Sequence, residues 1–196
     1  MDDLTQLLMQ QLSGGALSQI GQQVGVDEST VNSTMAVAMP LLVSALANNA
    51  SKPDQAQALH NALGNDHDGS ILNDVEGFLG NPQAANGAGI LGHVLGAQQP
   101  MVAQTLAQST GLDSNQVGNL LEIAAPLVMG ALGQQQQQQG LDTDGLTNFL
   151  GGQQETISEK NPMISNLMTA FLDKNKDGSV VDDLLKMGMN FLSKKK

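Results

Sequence analysis

The sequence predicts an all-α fold, and three observations carry that prediction. Apolar residues recur at helical spacing along the 196-residue chain, and no segment shows the strict alternation of a half-buried strand. Glycine and aspartate fall where helices end and begin. One helix–turn–long-helix phrase occurs twice. "GVDESTVNSTMAVAMPLLVSALANN" (Gly25 to Asn49) and "GLDSNQVGNLLEIAAPLVMGALGQQ" (Gly111 to Gln135) align without a gap, placing Gly25 on Gly111, Asp27 on Asp113, Val31 on Val117, Pro40 on Pro126 and Ala45-Leu46 on Ala131-Leu132.

Each copy begins with a short helix, Ala16 to Val24 in the first and Val102 to Thr110 in the second. Each ends at a glycine suited to the left-handed position after a helix. Asp27 and Asp113 then stand where a carboxylate can accept the free N–H groups of the next helix, and Gln116 completes a capping box in the second copy. The long helices run from Glu28 to Ala47 and from Ser114 to Leu132, each with a mid-helix proline that removes a hydrogen bond and is expected to kink or split it. Between the copies, helices are predicted near Gln55 to Leu63 and Ile71 to Leu79, followed by a Gly/Ala/Asn-rich linker. The six-glutamine run "GQQQQQQG" reads as a loose helix end or connector. The organisation expected is a first unit over 1–82, a linker over 83–98, a second unit over 99–152 and a C-terminal helix–loop–helix over 153–196.

Composition narrows the function classes. The chain has four Phe, no Trp, no Tyr and ten Met, so its core is aliphatic and Met-rich, and adaptable for that reason. Without cysteine it has neither disulfides nor thiolate chemistry. The net charge of −11 comes from 19 carboxylates against eight lysines. That balance argues against direct nucleic-acid binding, which depends on Lys and Arg displacing counterions, and favours divalent cations. The N-terminus "MDDLTQLLMQQLSGG" is acidic and polar where a secretory signal would be basic and then apolar, so a cytoplasmic protein is expected. No stretch has the eighteen or so uninterrupted apolar residues of a membrane span.

The phrase with the most chemistry in it is "DKNKDGSVVDD" near the C-terminus. An EF-hand loop takes ligands from positions one, three, five, seven (by its carbonyl), nine and twelve, with glycine at six. Asp173, Asn175 and Asp177 occupy one, three and five, Gly178 is at six and Ser179 at seven. The second half departs from the pattern: Val181 is at nine and Leu184 at twelve, with Asp182 and Asp183 at ten and eleven. The loop resembles the shortened EF-like loops of the excalibur type, and Asp183 would close it. A short closing ligand implies weak calcium affinity, on the order of 10⁻⁴ to 10⁻³ M, and magnesium is an alternative ion. The competing reading is a tight Asp-Gly turn with Ser179 capping the next helix, which needs no metal. "GNDHDGSILND" repeats the phrase earlier, with Asp66, Asp68, Ser70 and Asp74 as a weaker candidate set. Gly64 replaces its first carboxylate, and His67 falls on a non-ligand position from which it could aim at solvent.

Other constellations carry less. "LSQIGQQVGVDESTVNSTM" has the local form of a DNA-binding helix-turn-helix, but its second helix bears no Lys or Arg, and a helical hairpin explains it equally. His60, His67 and His93 lack the spacing of a catalytic zinc site, and no nucleophile elbow or phosphate loop is present. The sequence therefore offers no catalytic residues and no cofactor beyond the cation.

"GGALSQIGQQVGVDESTVNSTMAVAMPLLVSALA", "DHDGSILNDVEGFLG" and "DKNKDGSVVDDLLKMG" resemble the bacterial family called domain of unknown function 937, and more distantly the YidB proteins. The resemblance covers residues 4 to 150 and the C-terminal phrase. It implies an all-helical bundle and brings no activity or site residues. The expectation is a non-enzymatic helical binding or scaffold protein with a C-terminal cation loop, acting on an unidentified protein partner or by self-association. The alternative is a nucleic-acid-associated regulator using the helix-turn-helix-like units.

Overall fold

The computed structural model describes residues 4–13, 15–160 and 164. The described residues form nine α-helices and three short 3-10 turns, with no strand among them. The helices are α1 (Leu4–Gln11), α2 (Ala16–Val24), α3 (Glu28–Ala50), α4 (Pro53–Asn65), α5 (Val75–Gly80), α6 (Gly87–Val94), α7 (Gln99–Thr110), α8 (Ser114–Gln139) and α9 (Thr143–Lys160).

The duplication is present in three dimensions. Gly25 and Gly111 both sit in the left-handed region at φ 76°, and their N–H groups bond back to Gly21 O and Ala107 O. Both following aspartates are extended. Asp27 Oδ1 accepts the Thr30 N–H at 3.0 Å; Asp113 Oδ1 accepts the Gln116 N–H at 2.9 Å, and the Gln116 side chain accepts the Asp113 N–H to complete the capping box. α2 packs on α3 as α7 packs on α8, and α1 meets α3 as α6 meets α8. The helix that follows each long helix reaches into the other half: α4 packs on α8 as well as on α3, and α9 lies along α3.

This exchange gives one core rather than separate units. A single apolar cluster runs from Leu4 to Ile164, drawing on both copies. α3 and α8 lie at its centre and stay helical through Pro40 and Pro126. Each is also long and apolar enough to cross a membrane, but 72% and 78% of the apolar windows are buried inside the bundle. A helix apolar on all sides needs such cover, and here its neighbours supply it.

Three segments differ from the sequence expectation. Residues 83–98, read as a linker, contain α6, whose Ile90, Leu91 and Val94 are buried against α8. Its glycines permit close approach: a Cβ at Gly87 would collide with the Glu122 carbonyl. That carbonyl lacks an i+4 partner because Pro126 has no N–H. The six-glutamine run is helical to Gln139, because Gln136 is buried and donates to the His60 carbonyl at 3.2 Å. α9 runs through the expected boundary at 152/153, and buried Gln153 accepts the Leu4 N–H at 3.0 Å, tying the start of α1 to α9.

Candidate functional site

The acidic phrase "DHDGS" links α4 to α5, and the structure shows what holds it. Asp66 is the C-terminal cap residue of α4. Asp68 Oδ1 accepts the Ser70 N–H at 2.9 Å, and the Ser70 interactions hold the Asp68 carboxyl below its ordinary pKa. Gly69 turns the chain at φ 92° and opens the 3-10 turn Ser70–Asn73. Asp74 Oδ1 caps α5 by accepting the Gly77 N–H at 2.8 Å. The turn also lies directly on α8. A Cβ at Gly133 would fall on the His67 carbonyl, one at Gly130 on the Ile71 side chain, and one at Gly69 would come 2.8 Å from Gln134 Cβ.

Asp68 and Asp74 are thus engaged in turning and capping the backbone. Among the described residues no three His, Asp or Glu side chains gather in a cluster able to hold a metal ion. The weaker candidate set of Asp66, Asp68, Ser70 and Asp74 thus lies along one turn, with Asp68 and Asp74 each accepting a backbone N–H. The main candidate set, Asp173, Asn175, Asp177, Ser179 and Asp183, lies outside the described residues.

Beside the turn are two adjoining hollows that the sequence did not reveal. One, of about 360 Å³, is lined by the turn itself, by Asn86 and by Pro126 of α8. The other, of about 400 Å³, is an apolar groove between α4 and α6, with Leu59 and Ala62 on one side, Ile90 and Val94 on the other, and Leu46 and Met129 along its floor. His67 and Ile90 line both. Far from facing open solvent, His67 is half-buried, and loss of solvation lowers its pKa against the opposing pull of Asp66. His93 and Asn49 stand at the groove's far end, where Asn49 Nδ2 donates to the Val94 carbonyl at 3.0 Å and fixes α3 to α6. The groove offers a concave apolar surface with a few polar groups, the usual constitution of a binding site.

The helix-turn-helix-like unit presents a different surface. The exposed positions at the start of α3 are Asp27, Glu28, Ser29, Asn32 and Ser33, while Val31, Thr34 and Met35 turn into the core. The Ser29 and Thr30 hydroxyls and the Thr30 N–H hold Asp27 far below the ordinary carboxylate range, so the tip of this unit is firmly anionic.

Together these features define the molecule as an all-α bundle built on a duplicated helix–turn–long-helix unit, with an apolar groove opened between its halves. The chain belongs to the family described as bacterial protein of unknown function (DUF937), whose model matches residues 6–135. That span contains both copies of the unit and the acidic turn; α9 follows it. No match was found among curated proteins or solved structures.

Proposed function

We propose that this chain is a non-enzymatic helical binding protein. It holds an apolar, lysine-bearing protein segment in the groove between α4 and α6, and a divalent cation, calcium in preference to magnesium, in its C-terminal loop. The observation that carries the reading is the groove: an aliphatic trough of a size to take several side chains, in a body whose charge favours a cationic partner. Met129 on its floor gives the trough an adaptable surface. The EF-like pattern of Asp173, Asn175, Asp177, Ser179 and Asp183 supports the cation half of the proposal, and the YidB resemblance adds no residue roles to it.

The groove half is tested by titrating the full chain with a short amphipathic Leu/Lys helical peptide while following methionine methyl resonances. The reading expects the Met129 methyl to shift and saturate while Met35, roughly 16 Å from Leu46 along α3, stays in place. A Met129 resonance that never moves overturns it. The cation half is tested by calorimetric titration with calcium. Heat saturating at one equivalent, and lost in the Asp173→Ala, Asp177→Ala variant, is expected; no heat up to several millimolar removes the cation from the account.

A further inference from the structure

The described residues around the groove leave it open, and the chain contains a segment suited to it. We propose that residues 165–196 are the resident occupant of the α4–α6 groove, seated in cis, so that an outside partner must displace them. The proposal rests on the reading of the groove as a binding site.

Three observations point to this segment. Its apolar residues fall at helical spacing, Leu184, Met187 and Phe191 three and seven apart and Leu185, Met189 and Leu192 four and seven apart, so a helix over them would have one apolar face. Such a face needs cover, and Leu59, Ala62, Ile90, Val94 and Met129 offer a matching aliphatic surface. Charge is divided in the same sense. Lys174, Lys176, Lys186 and the terminal Lys194, Lys195 and Lys196 outnumber Asp173, Asp177, Asp182 and Asp183 in this segment, while the rest of the chain has only Lys52 and Lys160 against the other 15 of its 19 carboxylates. Asp66 and Asp68 line the hollow beside the groove, and Asp54 precedes groove-lining Gln55 at the start of α4. Opposite charge therefore favours the segment's approach. Reach does not restrict it, since the chain beyond buried Ile164 can extend on the order of 100 Å.

The absence of cysteine allows a single spin label to be attached through Ser193→Cys in the full chain. The expected result is broadening of the Met129 methyl resonance well beyond that of Met35, unchanged on dilution and abolished by Leu184→Asp with Leu185→Asp. Broadening that disappears on dilution would assign the contact to a second copy and overturn seating in cis. Equal or absent broadening at the two methyls would overturn the proposal outright. The Leu/Lys probe peptide separates this idea from the one it rests on. Displacing a resident segment weakens apparent probe affinity by the fraction of grooves left free, so about tenfold tighter binding to the doubly substituted chain than to the parent is expected. Equal affinity for both proteins sinks the resident segment and keeps the groove; binding to neither sinks the groove as well.

Discussion

Gly133 of α8 and His67 of the acidic turn are in backbone contact, with the His67 carbonyl occupying the place where a side chain at 133 would begin. This contact, with that of Ile71 on Gly130, seats the turn on the central helix and sets the wall that the two hollows share.

Gly133→Ala should therefore destabilise the fold by about 1–3 kcal/mol, the usual cost of forcing atoms into a packed contact. Gly118→Ala, on the same helix with no atom near its added Cβ, should be neutral or stabilising by roughly 0.5–1 kcal/mol. Chemical denaturation of the two variants checks the contrast, and equal effects would show that the turn is not seated as described.

Asp27 and Asp68 both have carboxyl pKa values below their ordinary range, through hydrogen bonds from Ser29 and Thr30 in one case and Ser70 in the other. Depressed carboxylate pKa values give stability that is present above the unfolded value, about 3.9, and lost as pH falls through the folded one. The acid limb of the unfolding profile, below about pH 4, should accordingly be shallower in Asp27→Asn and Asp68→Asn than in the parent.

His67 titrates in the same sense at higher pH. Burial disfavours its charged form, so its folded pKa lies below the ordinary value of 6.5. The neutral ring costs nothing above that value, and stability falls as pH drops from there toward the folded pKa. Thermal unfolding between pH 7.5 and 5.5 should show a decline that His67→Gln removes.

Gln136 and Gln138 belong to one glutamine run but have different surroundings. Gln136 is buried and donates to the His60 carbonyl, whereas Gln138 is exposed. Gln136→Ala should cost about 1–2 kcal/mol, and Gln138→Ala close to nothing. Denaturation midpoints decide this, and equal values would mean that the run is not pinned to α4.

The parts of the fold legible in the sequence are those that local chemistry fixes. Gly25 and Gly111, Asp27 and Asp113, and the run of α2 from Ala16 to Val24 follow from turn and cap preferences within a few residues. The far ends of the long helices were less legible, because contacts across the bundle set them: α8 reaches Gln139 because Gln136 meets His60 of α4. α6 was hidden by its glycines, which resemble a linker until α8 is laid against Gly87. Its signal was the spacing of Ile90, Leu91 and Val94. The groove was not legible at all, since Leu46, Leu59, Ile90 and Met129 come from four helices that only the tertiary fold assembles. Met35, Met39 and Met129 are buried, in keeping with the Met-rich core that the composition implies.

The repeated acidic phrases frame the most direct test, because one is seated on α8 as a capped turn and the other is proposed to hold the cation. A calcium titration followed by the amide resonances of Gly69 and Gly178 resolves the two loops in one sample. The account predicts that the Gly178 amide shifts and saturates with one equivalent bound while the Gly69 amide stays where it is. Movement of Gly69 in place of Gly178, or of neither, would contradict it.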